Sequence, residues 1–307
     1  MLGTAGDTYV VGRQIRTSGG IIIRIGDNQL HIDPGPGALL MAKQCGINIR
    51  ENIALLVSNS SLYNCNDVNA VIDAMTYSGF DKKGVLLGSK SVINGTDAIK
   101  PYLTDVSKEC LERFIVLSPG QHVGINDVEI QALKTINKDI SALGFKFFTP
   151  EFTVSYCSDT KYSVEIAEQY KGSNILIFNY LSSDKKDNVG LSREDIIKIV
   201  KKVNPRLVIL THFGIKVIES DPLYESREIQ KQTGVQTIMA KDGMIISPTS
   251  YSADKGQRTL YGLGGKETSI NLEKPNQETQ QELLNIVEEK QETIPEAEKD
   301  DISIEEQ

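Results

Sequence analysis

The chain has 307 residues and a formal net charge of −8 at pH 7, which leaves room for one large domain or two. The charge is uneven, because residues 275–307 contain 11 Asp or Glu and 2 Lys and so carry −9, while residues 1–274 carry about +1. The nearly neutral first part gives no electrostatic reason to expect nucleic-acid binding.

The first half of the chain predicts β-strands that alternate with short helices. Residues 20–25 and 30–33 are rich in β-branched and other apolar residues, and a Gly-Asp-Asn turn separates them, as in a hairpin. Further predicted elements are a helix over 38–45, a strand over 53–57, a helix that begins after an N-cap at Asp67, a strand over 84–87 and a helix over 97–103.

The second half predicts a regular alternation of strands and helices. After two strands over 144–148 and 153–157, the predicted elements are a helix over 164–170, a strand over 175–179, a helix that begins at Ser192, a strand over 207–211, a helix over 223–231 and strands over 235–239 and 244–247. Two strand-rich halves, each followed by helices, predict an α/β fold arranged as a four-layer αββα sandwich over residues 1–251.

Residues 252–307 have the composition of a disordered acidic tail. They are rich in Glu, Gln, Gly and Lys, and bury too little apolar surface to offset the entropy of ordering. Residues 282–289 carry four apolar side chains close together, so the alternative is a short motif that folds on a partner.

The four cysteines, at 45, 65, 110 and 157, form no Cys-x-x-Cys pair and indicate reduced thiols in a cytoplasmic protein. The first residues have no basic segment followed by an apolar run, so we expect no secretory signal. No window approaches about 18 consecutive apolar residues, so we expect no membrane span.

Four motifs occur in order along the chain. They are Leu-His-Ile-Asp-Pro-Gly-Pro-Gly at 30–37, Ser-Asn-Ser-Ser-Leu-Tyr-Asn at 58–64, Tyr-Cys-Ser-Asp-Thr at 156–160 and Leu-Thr-His-Phe-Gly at 210–214. Together with the αββα pattern they resemble the metallo-β-lactamase-fold hydrolase superfamily. The resemblance implies that the second motif replaces the family's Thr-His-x-His-x-Asp-His signature.

The resemblance also implies where a metal site would lie. Active members of the family hold two metal ions, which convert a bound water into a hydroxide nucleophile. In this chain the corresponding ligand positions are Asn59, Ser61, Tyr63, Asn64 and Asn137, which we interpret as vestigial, and Asp159 and His212, which retain the family's residue types.

Two remaining ligands are fewer than the three or four that Zn²⁺ takes from protein. We therefore expect no metal cofactor, a polar uncharged network at the old site, and a pseudoenzyme that acts by binding a ligand or a partner. The alternative is a hydrolase of a phosphoester, thioester or amide that uses Zn or Fe/Mn in an atypical or single-metal site. Its rescue ligands would be Cys65 and Asp67 together with Asp159 and His212.

Partners are open at this point. A protein partner could bind at the cleft or at the acidic tail, and the sequence does not decide between a homodimer and a heterodimer. We expect neither nucleic acid nor a membrane as a partner.

Overall fold

The computed structural model describes residues 1–188 and 190–248. The predicted domain boundary at 251/252 and the predicted disordered tail lie outside these residues. Among the described residues, no helix is both long and apolar enough to cross a lipid bilayer.

The first β-sheet has five strands in the order β1-β2-β3-β4-β5. Strands β1 and β2 form an antiparallel hairpin, and β2 to β5 run parallel to one another. Gly26 lies in the hairpin turn with a φ of 54°, a left-handed conformation that costs glycine little. The strands are β1 (Ile21–Ile25), β2 (Asn28–Ile32), β3 (Asn52–Val57), β4 (Val85–Gly88) and β5 (Arg113–Val116).

The second β-sheet has seven strands in the order β12-β11-β10-β9-β8-β7-β6. Strands β6 to β9 pair antiparallel, whereas β9 to β12 pair parallel. The strands are β6 (His122–Ile125), β7 (Val128–Lys134), β8 (Leu143–Phe148), β9 (Thr153–Tyr156), β10 (Ile175–Asn179), β11 (Leu207–Thr211) and β12 (Gln236–Met239).

The helices are short, and most of them pack on the outer faces of the sheets. Helix α8 begins with the predicted capping box, in which Ser192 and Asp195 bond to each other's backbone N–H groups. The helices are α1 (Thr8–Gly12), α2 (Ala38–Gln44), α3 (Leu62–Cys65), α4 (Val68–Thr76), α5 (Lys90–Ile93), α6 (Asp105–Cys110), α7 (Val164–Gln169), α8 (Arg193–Val203), α9 (Ile215–Glu219) and α10 (Pro222–Thr233).

Three buried apolar clusters define four layers. One cluster lies between the sheets and joins residues such as Leu56 of β3 to Phe145 of β8. The second packs β10 and β11 against α7, α8 and α10, and the third packs β3 and β4 against α2 and α4. The predicted αββα sandwich is therefore confirmed.

Two predicted elements are absent. Residues 97–103 form no helix, because Pro101 removes a backbone donor from the middle of that segment. Residues 244–247 form no strand. The carbonyl of Met244 instead accepts a hydrogen bond from the N-terminal amino group of Met1 at 2.9 Å, which ties the segment to the start of the chain.

Candidate functional site

The ends of parallel strands bring the predicted site residues to one edge of the sandwich. Asp33 follows β2, Ser58 follows β3, Asp159 lies three residues after β9, and His212 follows β11. Polar groups at the carboxyl ends of parallel strands face a common crevice. Asp33 and His212 have φ values of 51° and 55°, strained conformations for non-glycine residues that their surroundings must hold.

Asp33 is the centre of a buried hydrogen-bond network that joins the two sheets. Its carboxylate accepts from the Ser58 backbone N–H and hydroxyl, both at 2.7 Å, from Nδ2 of Asn64 at 2.9 Å and from the Tyr156 hydroxyl at 2.6 Å. Burial raises the pKa of Asp33, while these donors oppose that rise. Asp33 therefore links the loop after β3 to strand β9 of the other sheet.

Asn59 occupies the first predicted ligand position, and both ends of its amide have partners. Its Oδ1 accepts from the Ser61 backbone N–H at 2.9 Å, and its Nδ2 donates to the Ser58 hydroxyl at 3.0 Å. Nδ2 also lies 3.5 Å from Oδ2 of Asp159. The amide therefore shapes the loop after β3.

Asn137 has the same arrangement in a second loop. Its Oδ1 accepts from the Asp139 backbone N–H at 3.1 Å, and its Nδ2 donates to the Asp159 carbonyl at 2.9 Å. Of the other predicted positions, Asn64 bonds Asp33 and the hydroxyl of Tyr63 bonds that of Thr8. The amides at these positions hold loops together.

Asp159 and His212 come together, as the resemblance implies. Nε2 of His212 lies 3.7 Å from Oδ2 of Asp159, and both side chains are largely buried. Gly6 packs closely against His212, since a Cβ on Gly6 would lie 2.3 Å from the His212 carbonyl oxygen. The other carboxylate oxygen, Oδ1, accepts from Nδ2 of Asn179 at 2.9 Å.

Asn179 is a site residue that was not predicted from the sequence. Its signal was a polar residue directly at the end of a strand of four buried apolar residues. The amide is 3% exposed, and its Oδ1 has no hydrogen-bond partner among the described residues. Asn179 also lines a small cavity of about 20 Å³, together with Asp33, Tyr156 and His212. A polar space of this size fits one water molecule.

Asp139 was also missed, and it ties three segments of the wall together. One oxygen accepts from the Ser60 backbone N–H at 3.1 Å, the Ser60 hydroxyl at 2.9 Å and the Ser91 hydroxyl at 2.5 Å. The other accepts from the Ser141 backbone N–H at 3.0 Å and hydroxyl at 2.8 Å. Burial alone would raise the pKa of Asp139, but these donors outweigh burial and hold the pKa below its usual range.

A large open cleft of about 1050 Å³ lies over this network. Four of the predicted ligand positions, Asn59, Ser61, Tyr63 and Asn137, line it together with Asp159. A cleft of this size can accommodate a small molecule.

The predicted rescue ligands have other partners. The Cys65 thiol donates to the Ser61 carbonyl at 3.1 Å, and burial raises the pKa of this thiol. Oδ2 of Asp67 accepts from the backbone N–H groups of Gly37 and Ala38, both at 2.9 Å, at the start of α2. Helix α4 begins after Asp67 at the N-cap, as predicted, but the Asp67 side chain makes no capping hydrogen bond to α4, because it accepts from the N–H groups at the start of α2 instead.

Residues 28–213 match the family described as the beta-lactamase superfamily domain. This match spans more than half of the chain. The chain belongs to the beta-lactamase superfamily. The chain is also similar to the uncharacterized protein MJ1374 of Methanocaldococcus jannaschii, with 30% identity over 248 residues, which cover 80% of this chain and 92% of that protein.

Solved structures share the superfamily fold. The metallo-beta-lactamase fold protein YhfI from Bacillus subtilis aligns with a TM-score of 0.66 and 18% identity, over 79% of this chain and 95% of YhfI. Zn²⁺-bound PqqB from Methylobacterium extorquens aligns with a TM-score of 0.63 and 11% identity, over 80% of this chain and 98% of PqqB. At these identities the similarity shows the fold.

The expectation that the chain has no metal cofactor is wrong. A structure of this fold, PqqB, is Zn²⁺-bound, which points to a metal cofactor for this fold. The expectation rested on the residue types at the positions that the resemblance marks, and residue types at single positions do not decide whether a protein of this fold binds a metal. The alternative prediction, a Zn or Fe/Mn cofactor, agrees better with Zn²⁺-bound PqqB.

The residues at the corresponding positions nevertheless do not fit a two-metal centre. The side-chain amides of Asn59 and Asn179 direct N–H groups, which cannot bind a cation, toward the Asp159 carboxylate. Near Asp159, the nitrogen that could bind a metal is Nε2 of His212. Within residues 1–188 and 190–248, no three His, Cys, Asp or Glu side chains form a group that could hold a metal ion. Two cations need more negative charge than one carboxylate supplies.

Proposed function

We propose that this chain is a catalytically degenerate member of the beta-lactamase superfamily that acts by binding a small ligand in its cleft. The observation that carries the proposal is the network at the predicted ligand positions. Asn59, Asn64 and Asn137 each use their amide groups to hold the loops of the site, so they support the cleft's shape. A shaped cleft without the family's ligand set supports recognition over hydrolysis.

The absence of tryptophan from the chain offers a direct test of ligand binding. Ile136 lines the cleft and its side chain is 39% exposed, so the variant Ile136→Trp places one fluorescent reporter there. Val106 is 73% exposed on α6 and does not line the cleft, so Val106→Trp is the matched control. We expect a fragment library to shift the emission of the first variant and not that of the second.

Hydrolysis is tested with the full chain and bis(p-nitrophenyl) phosphate, a p-nitrophenyl thioester and a p-nitroanilide, each with Zn²⁺, Mn²⁺ or Fe²⁺. The control is the double variant Asp159→Asn/His212→Ala, which removes the retained pair. We expect equal rates for the wild type and the control. A wild-type rate that the control lacks contradicts the proposal.

The second candidate is a metal-dependent hydrolase of a phosphoester, thioester or amide with an atypical or single-metal site. The contact of His212 with Asp159 at 3.7 Å favours it, because a carboxylate and an imidazole are both metal ligands. Metal content by plasma mass spectrometry separates the candidates when it is combined with the hydrolysis assay. About one metal per chain, lost in the double variant together with hydrolysis, supports this candidate.

A further inference from the structure

The charged side chains of the cleft are not equally available to a ligand. Three lysines and four aspartates line it, namely Lys138, Lys161, Lys216, Asp7, Asp139, Asp159 and Asp187. A simple count gives a slightly acidic cleft. The hydrogen bonds and ion pairs that these groups already make leave this net charge unchanged, but they decide which of the groups can contact a ligand directly.

In two of the aspartates, both carboxylate oxygens already accept hydrogen bonds from backbone N–H groups or serine hydroxyls. Oδ1 of Asp7 accepts from the Val10 N–H at 2.8 Å and Oδ2 from the Ile215 N–H at 2.7 Å, so this carboxylate joins α1 to the start of α9. Asp139 accepts the five hydrogen bonds from serines described above. Neither carboxylate has an oxygen without a donor.

The third aspartate neutralises one of the lysines. Asp187 pairs with Lys216 and accepts from the Ser182 hydroxyl. The hydrogen bond with Lys216 lowers the pKa of Asp187, and the same contact raises the pKa of Lys216. This pair therefore contributes little net charge to a ligand.

Within residues 1–188 and 190–248, Lys138 and Lys161 have no such partner. In the described part of the chain, neither side chain forms an ion pair with an Asp or Glu. Both side chains are exposed to solvent. The cleft therefore presents two available cations against the one carboxylate, Asp159, that is less completely bonded.

The two lysines lie on the same wall, because their loops are bonded to each other. The Lys161 backbone N–H donates to the Ile136 carbonyl at 3.0 Å, and the Ile136 N–H donates to the Thr160 hydroxyl at 2.9 Å. The Asn137 amide adds a third bond, to the Asp159 carbonyl at 2.9 Å. One pair of adjacent loops thus carries both cations.

Apolar side chains complete the lining. Ile136 lies on the lysine-bearing wall, and four others line the same cleft, namely Tyr9, Ile99, Leu181 and Ile215. These side chains can contact the body of a ligand while the lysines contact a charged end.

We propose that the cleft binds a small amphipathic anion, with a carboxylate or phosphate oxyanion at Lys138 and Lys161 and an apolar body against Ile136 and its neighbours. The inference rests on the proposed function, since it names the class of ligand that the cleft takes. Lysine ammonium groups attract either oxyanion as point charges, so the chemistry of the head group is a matter for experiment.

The test uses the full chain and three probes with one aromatic ring each: phenyl phosphate, benzoate and neutral benzyl alcohol. Isothermal titration calorimetry measures the dissociation constants for the wild type and for Lys138→Gln/Lys161→Gln. The matched control is Lys43→Gln/Lys82→Gln, which removes the same charge from exposed lysines that do not line the cleft.

We expect at least one anionic probe to bind the wild type and to bind Lys138→Gln/Lys161→Gln about tenfold more weakly, with the control close to wild type. Tighter binding of phenyl phosphate identifies a phosphate head group, and tighter binding of benzoate a carboxylate. Equal affinity of the wild type and the lysine variant overturns the inference, as does binding of benzyl alcohol alone.

Failure of the inference is distinguishable from failure of the proposed function. If fragments without a charge shift the Ile136→Trp emission while both anions fail to bind, the cleft binds ligands and the anion inference is overturned. If phenyl phosphate binds through the lysines and is hydrolysed only when Asp159 and His212 are intact, the anion inference stands and the non-hydrolytic function is overturned.

Discussion

The side-chain amide of Asn179 donates to the carboxylate of Asp159 over 2.9 Å, so an N–H group faces the one aspartate that the superfamily resemblance marks as a metal ligand. Its other end, Oδ1, is buried and has no partner among the described residues. Asn179, at the end of β10, thus directs an N–H donor at Asp159, whereas an oxygen acceptor at that position would favour binding of a cation.

This relationship predicts the effect of Asn179→Asp. The substitution places a second carboxylate beside Asp159 and His212, which gives three ligand types in one place, and two adjacent carboxylates favour a bound cation. We expect Zn²⁺ affinity to rise about tenfold or more over the wild type, measured by competition with a chromogenic chelator.

Asn66→Asp is the matched control for that experiment. Asn66 is exposed at the end of α3, so this substitution adds the same negative charge as Asn179→Asp but places it on the surface. An equal rise in Zn²⁺ affinity for both variants would show that Asn179 does not face the site as described.

Asp139→Asn is expected to destabilise the fold by about 2–4 kcal/mol, because the amide cannot accept all five serine hydrogen bonds. Urea unfolding followed by circular dichroism measures the loss. Asp105→Asn, at a side chain that is 93% exposed, is the control and should change stability by less than about 0.5 kcal/mol.

The effect of Asp139→Asn should also depend on pH. The pKa of Asp139 is lowered in the folded protein, so its charged form stabilises the fold above the unfolded pKa of about 3.9 and this contribution is lost as pH falls through the folded value. We expect the stability difference from wild type to be full at pH 7 and to shrink below about pH 4. A difference that stays constant down to pH 3 contradicts a charged Asp139 in this role.

Tyr156→Phe is expected to cost about 1.5–3 kcal/mol at pH 7, since it removes a 2.6 Å donor from the buried Asp33 carboxylate. Burial already raises the pKa of Asp33, and without the tyrosine donor it should rise further. The loss of stability should therefore grow as pH increases from 4 to 7. At the higher pH Asp33 is ionised, and the substitution then removes a charge-assisted hydrogen bond from it. Chemical unfolding at the two pH values checks this. Tyr77→Phe, at a side chain that is 60% exposed, is the control.

Rebuilding the superfamily signature tests the assignment of the ligand positions. The five-fold variant is Asn59→His, Ser61→His, Tyr63→Asp, Asn64→His and Asn137→His. We expect the folded variant to bind more Zn²⁺ per chain than the wild type, measured by plasma mass spectrometry, because Asp159 and His212 are already in place. A variant that keeps the wild-type circular dichroism spectrum without any gain in Zn²⁺ contradicts the assignment.

Much of the fold could be predicted because local patterns in the sequence agree with it. The buried strands at 53–57 and 207–211 and the capping box at Ser192 depend on residues that are close in the chain. The helix predicted over 97–103 does not form, because Pro101 lies within it. Asp67 is at the N-cap of α4 as predicted, but its side chain binds the N-terminus of α2, thirty residues earlier, and not α4. The first error was local, because the proline is part of the segment, whereas the second arose where a distant segment competed with a local one.

By itself, the sequence predicted the αββα architecture, which the structure confirms, because the strand and helix patterns are local properties of the chain. The assignment of the replaced ligand positions, and of Asp159 and His212 as retained ones, stays a prediction from the order of the motifs. Only the tertiary structure decided which polar groups remain available. Asn179 reaches Asp159 from a neighbouring strand, Asp139 gathers serines from three segments, and Lys138 and Lys161 share a wall through bonded loops. Hydrogen bonds between residues far apart in the chain create these relationships, and spacing along the sequence carries no record of them.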